Sequence, residues 1–223
     1  MVTKPTKIQT TRPILILLYG FPGSGKTHFA RQLAENLMCA HVHGDRIRNE
    51  LFEQPRYDKQ ENGIVMQLME YMTEEFLSAG ISVIFDVNAA RFAQRRLLRD
   101  MARKHSAGSV IVWFQMDADS AYNRTRNRDR RKADDKHARD YSPEMFKRYI
   151  SYMQQPQNED YVVVSGKHVF SSQRTAIFKK LIELGYVTLP DAQETVVKPG
   201  LVNLVPRPNF GRVDLTRRNI NIR

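Results

Sequence analysis

Apolar and polar positions switch between two periods along this chain, and the switches mark out its elements. Residues 14–19, Ile-Leu-Ile-Leu-Leu-Tyr, form an unbroken apolar run ending at Gly20, the pattern of a strand covered on both faces. From Lys26 onward Phe29, Leu33 and Leu37 recur at helical spacing as far as Met38. Residues 40–43 predict a second short strand stopping at Gly44-Asp45, and Ile47, Leu51 and Phe52 mark a short helix after it. A longer helix is expected over about 60–79, carried by Ile64, Met69, Met72 and Phe76 and closed by Gly80. The alternation then continues with a strand at 81–85, a helix at about 92–105, a strand at 109–116, helices at about 119–129 and 143–153, a strand at 161–164 and a helix at 172–184. Strands separated by helices of this size imply parallel crossovers. The expected fold class is therefore α/β, a five-stranded parallel sheet with helices on both faces. Ligands in such sheets sit beyond the carboxyl ends of the strands.

Composition narrows the class. A chain of 223 residues suits one domain with a short appendage, and the single cysteine, Cys39, rules out an intrachain disulfide or a multi-cysteine zinc site. A reduced cytoplasmic setting follows as the expectation. The apolar run at 14–19 is too short to cross a membrane or to form a signal-peptide core. The formal charge of +11 is uneven: residues 91–148 hold 16 Lys and Arg against 8 Asp and Glu. Such a field draws polyanions and phosphate-bearing substrates alike. Residues 1–13 read as an N-terminal extension, 14–187 as the folded domain, and 188–223, with Pro190, Pro199, Pro206 and Pro208, as a basic tail.

Gly20-Phe21-Pro22-Gly23-Ser24-Gly25-Lys26-Thr27 carries the chemistry most plainly, matching G-x-x-x-x-G-K-[ST] in full. Backbone N–H groups of such a loop converge on a phosphate at a helix N-terminus, and its glycines permit the close approach. Lys26 reaches the terminal phosphates and Thr27 offers a hydroxyl to Mg²⁺, so ATP and Mg²⁺ are the expected cofactors and the fold narrows to the P-loop NTPase type. A dinucleotide site is disfavoured because the third glycine of its fingerprint is replaced by His28. No Asn-Lys-x-Asp specifies GTP. His41 and His43 share one face of the second strand, but a metal there lacks a third ligand.

After the second strand, Asp45 and Arg48 lie one helical turn apart. A carboxylate there suits a general base and the arginine suits an anionic acceptor, although Asp also favours simple helix capping. Asp86, at the end of the third strand, suits Mg²⁺ or the acceptor, and Asn88 suits the acceptor or the support of its own loop.

On Gly20–Thr27, Asp45-x-x-Arg48, Phe85-Asp86-Val87-Asn88 and Arg124-x-x-x-Arg128, residues 14–185 resemble the kinase domain of phage polynucleotide kinase and the P-loop kinases that include zeta toxins and gluconate kinase. The resemblance implies that Asp45 is the base that activates a 5′-hydroxyl and that Arg48 contacts the acceptor's phosphate. The Arg-Arg pair of that pattern is displaced here to Arg95-Arg96, which leaves the roles of Arg91, Arg95 and Arg96 open.

Residues 123–142 form an arginine-rich stretch, expected as a lid. Arg124 and Arg128, four apart, would present one helical face to a phosphoryl group in transit, and a solvated charged helix is the plainer alternative. Val169 or Phe170 is a candidate for packing on adenine, with core packing the more ordinary role. The leading expectation is a kinase that transfers the γ-phosphate to a polynucleotide 5′-hydroxyl. The alternatives are a kinase for a small metabolite, sugar or nucleotide-sugar, and an ATP-gated binding module for nucleic acid or protein.

Overall fold

This computed structural model describes residues 7–132 and 135–188. Along the chain run β1 (Ile14–Gly20), α1 (Lys26–Asn36), β2 (Cys39–His43), α2 (Gly44–Leu51), α3 (Lys59–Ser78) and β3 (Ser82–Asn88). They are followed by α4 (Phe92–Lys104), β4 (Gly108–Gln115), α5 (Ala118–Arg126), α6 (Pro143–Ser151), β5 (Tyr161–Ser165) and α7 (Phe170–Glu183). The five strands pair in parallel in the order β2-β3-β1-β4-β5. This is an α/β fold of the expected class.

The apolar run of β1 is unbroken because the strand is central and covered twice. Ile14, Ile16 and Leu18 pack with Phe29 and Leu33 of α1 and Ile177 and Leu181 of α7. Leu15, Leu17 and Tyr19 face the other way, into Val65 and Met69 of α3 and Leu98 of α4. Each fully buried aliphatic side chain contributes about 1.5–3 kcal/mol. That burial, on both faces, holds the fold together with no disulfide, the single cysteine Cys39 being free.

The two largest boundary differences from the expectation each have a local reason. β3 runs to Asn88 instead of 85, because its register with β1 shifts between Leu17 and Leu18 and pairing resumes at Leu18 with Asn88. α5 stops at Arg126 instead of 129, with Asn127 at its C-cap. The backbone N–H of Arg131 turns back to the Asp129 carboxylate, the kind of local hydrogen bond that competes with helix.

Of the N-terminal residues, Ile8 forms a parallel bridge with Leu37, and the Thr10 hydroxyl meets that of Ser82 at 2.8 Å. The expected basic tail falls almost wholly outside the described residues, which end at 188. Among the described residues no helix is long and apolar enough to cross a membrane.

Candidate active site

The loop between β1 and α1 takes the shape its glycines allow. Gly23 and Gly25 adopt φ of +84° and +93°. A Cβ on Gly23 would lie 2.2 Å from the carbonyl oxygen of Ala121, so a side chain fits neither the conformation nor the space. Helix α1 begins at Lys26 with no side-chain cap on its N-terminus and no acidic residue in its first turn. Its leading N–H groups and positive dipole end are thereby left for an anion. Ser24 Oγ is buried with no hydrogen-bond partner among the described residues. The Lys26 ammonium donates to the carbonyls of Gly20 and Phe21, both at 2.8 Å. Burial lowers its pKa to about 8, against the pull of Asp86 in the other direction. A cationic group held at the loop's centre and short of negative partners fits a phosphate chain.

Beside the loop, Thr27 Oγ1 donates to Asp86 Oδ1 at 3.2 Å. A hydroxyl and a carboxylate oxygen at this spacing are the hard donors Mg²⁺ prefers, so Thr27 and Asp86 fit such an ion. Asp86 is 4% exposed, and its other oxygen, Oδ2, meets His41 Nε2 at 2.9 Å.

Asp45 lies in the first turn of α2, whose N-cap position is held by His43. The simple capping reading of Asp45 therefore does not describe it. Its carboxyl lines the same cavity of about 580 Å³ as Lys26, Thr27 and Asp86. Burial, reinforced by Asp86, raises its pKa above the usual aspartate range, while His43, Arg48 and Arg128 act in the opposite sense.

Arg124 and Arg128 also line this cavity, although not as one helical face, because α5 ends between them. Arg124 Nη1 donates to the Gly166 carbonyl at 2.7 Å, fastening α5 to the loop after β5. Arg128 donates to the Arg139 carbonyl at 2.5 Å and lies 3.8 Å from Asp135. Arg130 and Arg131 lie beside the carboxylates of Asp140 and Asp129.

Two expected acceptor ligands are placed differently. Arg48 is 7% exposed; its guanidinium is bonded to Glu61 and, at 2.7 Å, to Asn62, and it lies 4.5 Å from the ring centroid of Tyr57. It does not line the cavity. Asn88 does line it, but its amide is already used: Oδ1 accepts from the Gly20 N–H at 3.1 Å and Nδ2 donates to Tyr149 Oη at 3.1 Å. Both contacts support its own loop, one of the two roles its position suits.

The open arginines resolve as well. Arg95 is fully buried against Glu159 and also donates to the carbonyls of Ala89 and Gln154. Arg96 is exposed beside Asp100, and Arg91 stacks on Tyr152. Phe170 packs on Phe29 in the core, with ring centroids 5.8 Å apart, and Val169 is exposed.

Three residues the sequence reading missed complete the wall near Asp45: Arg139, Tyr141 and Tyr149. The Arg139 guanidinium lies 4.5 Å from the Tyr57 ring centroid and 5.4 Å from that of Tyr141. Burial raises the pKa of both tyrosine hydroxyls, so they stay protonated donors. Their sequence signal was slight, since aromatic residues after an arginine run look like ordinary core.

Residues 15–156 match the family model described as AAA domain (AAA_33). The chain belongs to that family. No curated protein matches it in sequence. Among solved structures it is similar to a putative kinase from Chloroflexus aurantiacus, at TM-score 0.62 and 15% identity over 78% of this chain and 99% of that one. It is also similar to the Mycobacterium tuberculosis APS kinase in complex with AMPPNP and APS, at TM-score 0.56 and 17% identity over 77% and 98%. A gluconokinase from Sinorhizobium meliloti gives TM-score 0.54 and 16% identity over 78% and 93%. These likenesses show that this AAA domain protein shares the fold of those proteins.

Proposed function

We propose that the chain is an ATP- and Mg²⁺-dependent kinase whose acceptor is a small, hydroxyl-bearing molecule with an anionic group. The observation that carries the proposal is the convergence, in one cavity, of Lys26, Asp45, Asp86, Arg124 and Arg128. A volume of about 580 Å³ is within the range of small-molecule sites, roughly 300–1,000 Å³.

In this reading the loop amides and Lys26 hold the β- and γ-phosphates. Thr27 and Asp86 hold Mg²⁺, which supplies charge neutralisation along the phosphate chain. Asp45 takes the proton from the acceptor hydroxyl as that oxygen bonds to the γ-phosphorus. The bond from phosphorus to the bridging oxygen breaks and ADP leaves. Arg124 and Arg128 face the phosphoryl group as charge spreads over its oxygens. Their carbonyl hydrogen bonds are weak competitors for a phosphate, since a guanidinium binds an anionic oxygen more strongly than a neutral one, and the Asp135 carboxylate stands 3.8 Å from Arg128, beyond hydrogen-bond reach. Tyr141, Tyr149 and Arg139 orient the acceptor, Arg139 taking its anionic group. The sealing of Arg48 by Glu61 and Asn62 moves the acceptor's anion site to Arg139.

The small acceptor is preferred because three arginines of the stretch, Arg128, Arg130 and Arg131, lie beside carboxylates of the same segment, Asp135, Asp140 and Asp129. APS kinase and gluconokinase, among the similar folds, are named for small substrates. A polynucleotide 5′-hydroxyl is the second reading, supported by the basic excess over residues 91–148. The test offers labelled γ-phosphate of ATP to sugars, sugar phosphates, nucleotides and 5′-hydroxyl oligonucleotides in parallel. Labelling of a small anionic acceptor is expected. Labelling confined to oligonucleotides, with steep loss at higher salt, supports the second reading instead.

A further inference from the structure

The phosphate machinery accounts for one oxygen of Asp86 and leaves an arrangement at the other unexplained. β2 is an edge strand, and its positions 41 and 43 share a face. The register sets His43 directly opposite Asp86. Their imidazoles lie parallel, with centroids 5.5 Å apart and planes within 9°. Both Nε2 atoms turn toward Asp86 Oδ2, His41 at 2.9 Å and His43 at 3.8 Å. The three ligand atoms all lie within 4.8 Å of one another.

A hydrogen bond explains His41, but His43 at 3.8 Å is beyond hydrogen-bond reach of that oxygen. One ion between all three groups explains both. A tetrahedral ion with bonds of about 2.0 Å spaces its ligands about 3.3 Å apart. That spacing lies between the two observed separations, so small side-chain rotations complete the set. Access is also right: the His41 and His43 side chains are 21% and 13% exposed at the sheet edge, whereas the carboxylate is 3% exposed behind them. Imidazole nitrogens suit zinc, nickel or copper, whereas Mg²⁺ takes oxygen ligands almost exclusively.

We propose that His41, His43 and Asp86 Oδ2 form a binding site for a borderline transition-metal dication, best matched by Zn²⁺, with solvent completing the coordination. Asp86 is then shared between two sites: Oδ1 faces Thr27 and the phosphate loop, and Oδ2 faces the edge. A dication on Oδ2 draws charge from the carboxylate and weakens its hold on Mg²⁺ at Oδ1. The bound metal thereby inhibits turnover, and extra Mg²⁺ relieves the inhibition. That consequence rests on the kinase reading, whereas the binding itself does not.

The test uses the full chain without nucleotide, titrated with Zn²⁺ by calorimetry and with Co²⁺ by visible absorption. One equivalent of Zn²⁺ is expected to bind and to displace Co²⁺ from a low-symmetry site with intense d–d bands. His41→Gln and His43→Gln should each weaken binding at least about tenfold. His105→Gln, on the far helix beside Glu74, should leave it unchanged. Thermal melting of each variant verifies that it is folded, and the Co²⁺ spectrum of the unaltered protein decides the matter if one is not. Absence of Zn²⁺ binding, a six-coordinate Co²⁺ spectrum, or binding unmoved by both folded histidine variants overturns the proposal. Zinc binding as expected, in a protein that phosphorylates no acceptor, leaves the site standing and removes the kinase.

Discussion

Thr27 and Asp86 meet at 3.2 Å across the gap between the first helix and the third strand, joining two segments 59 residues apart in sequence. This contact sets the phosphate loop against the carboxylate end of the sheet. The chemistry proposed for the chain depends on what surrounds it.

The loop itself is tested by Gly23→Ala. An added methyl meets the Ala121 carbonyl and forces a residue with φ of +84° to carry a side chain. The loop must move away from α5, and ATP affinity is expected to fall at least tenfold, roughly 1.4 kcal/mol, in a calorimetric titration. The melting temperature should change far less than the nucleotide affinity. Unchanged affinity would mean that phosphates do not bind at these amides.

Lys26 makes ATP binding dependent on pH. Its pKa in the free protein is lowered to about 8, and bound phosphates raise it again. Affinity is therefore greatest below about pH 8, where the ammonium is charged in both states. It falls as pH rises through that value, with proton uptake on binding. Calorimetry at pH 9 in two buffers of different ionisation enthalpy measures the uptake directly. Lys26→Met should abolish both the uptake and the slope.

Stability depends on a group far from any nucleotide. Arg95 and Glu159 are both fully buried, at 2.8 Å, with Arg99 adding a second contact at 3.1 Å. Arg95→Met leaves Glu159 with Arg99 as its one remaining ion-pair partner among the described residues and strips hydrogen bonds from the carbonyls of Ala89 and Gln154. The expected loss is about 3–5 kcal/mol, read from the urea midpoint. A loss below 1 kcal/mol would show that the buried pair is dispensable.

The legible part of this fold was its central strand and its glycine loop, because both are written in contiguous residues. The seven buried positions of β1 and the eight of Gly20–Thr27 need no distant partner to be recognised. What escaped were contacts made by the fold. The role of Arg95 stays open in the sequence until Glu159 is brought to it, 64 residues on. Arg48 has the spacing of an acceptor ligand, but Glu61 and Asn62 claim it from the start of α3. His41 and His43 lacked a third ligand in sequence, and the strand register supplied Asp86. Arg124 and Arg128 do reach one cavity, but through a chain turn after Arg126 that helical spacing does not foresee.

Arg139 separates the acceptor's role from that of ATP. Its guanidinium is held by the rings of Tyr57 and Tyr141 and makes no carboxylate pair among the described residues. Arg139→Ala should raise KM for an anionic acceptor about tenfold or more. KM for ATP should stay within about twofold. Steady-state kinetics with each substrate varied in turn distinguishes the two, and equal losses for both would place Arg139 on the nucleotide side.

Acceptance of the attacking hydroxyl's proton by Asp45 is measured by γ-phosphate transfer in the full chain and in Asp45→Asn. Label is expected to pass from ATP to a hydroxyl acceptor, with a rate that falls as acid protonates Asp45 through its raised pKa. In Asp45→Asn, transfer should drop by about 100-fold or more while ATP binds as before. Transfer by Asp45→Asn at the unaltered rate, or ATP binding with no acceptor ever labelled, would contradict it.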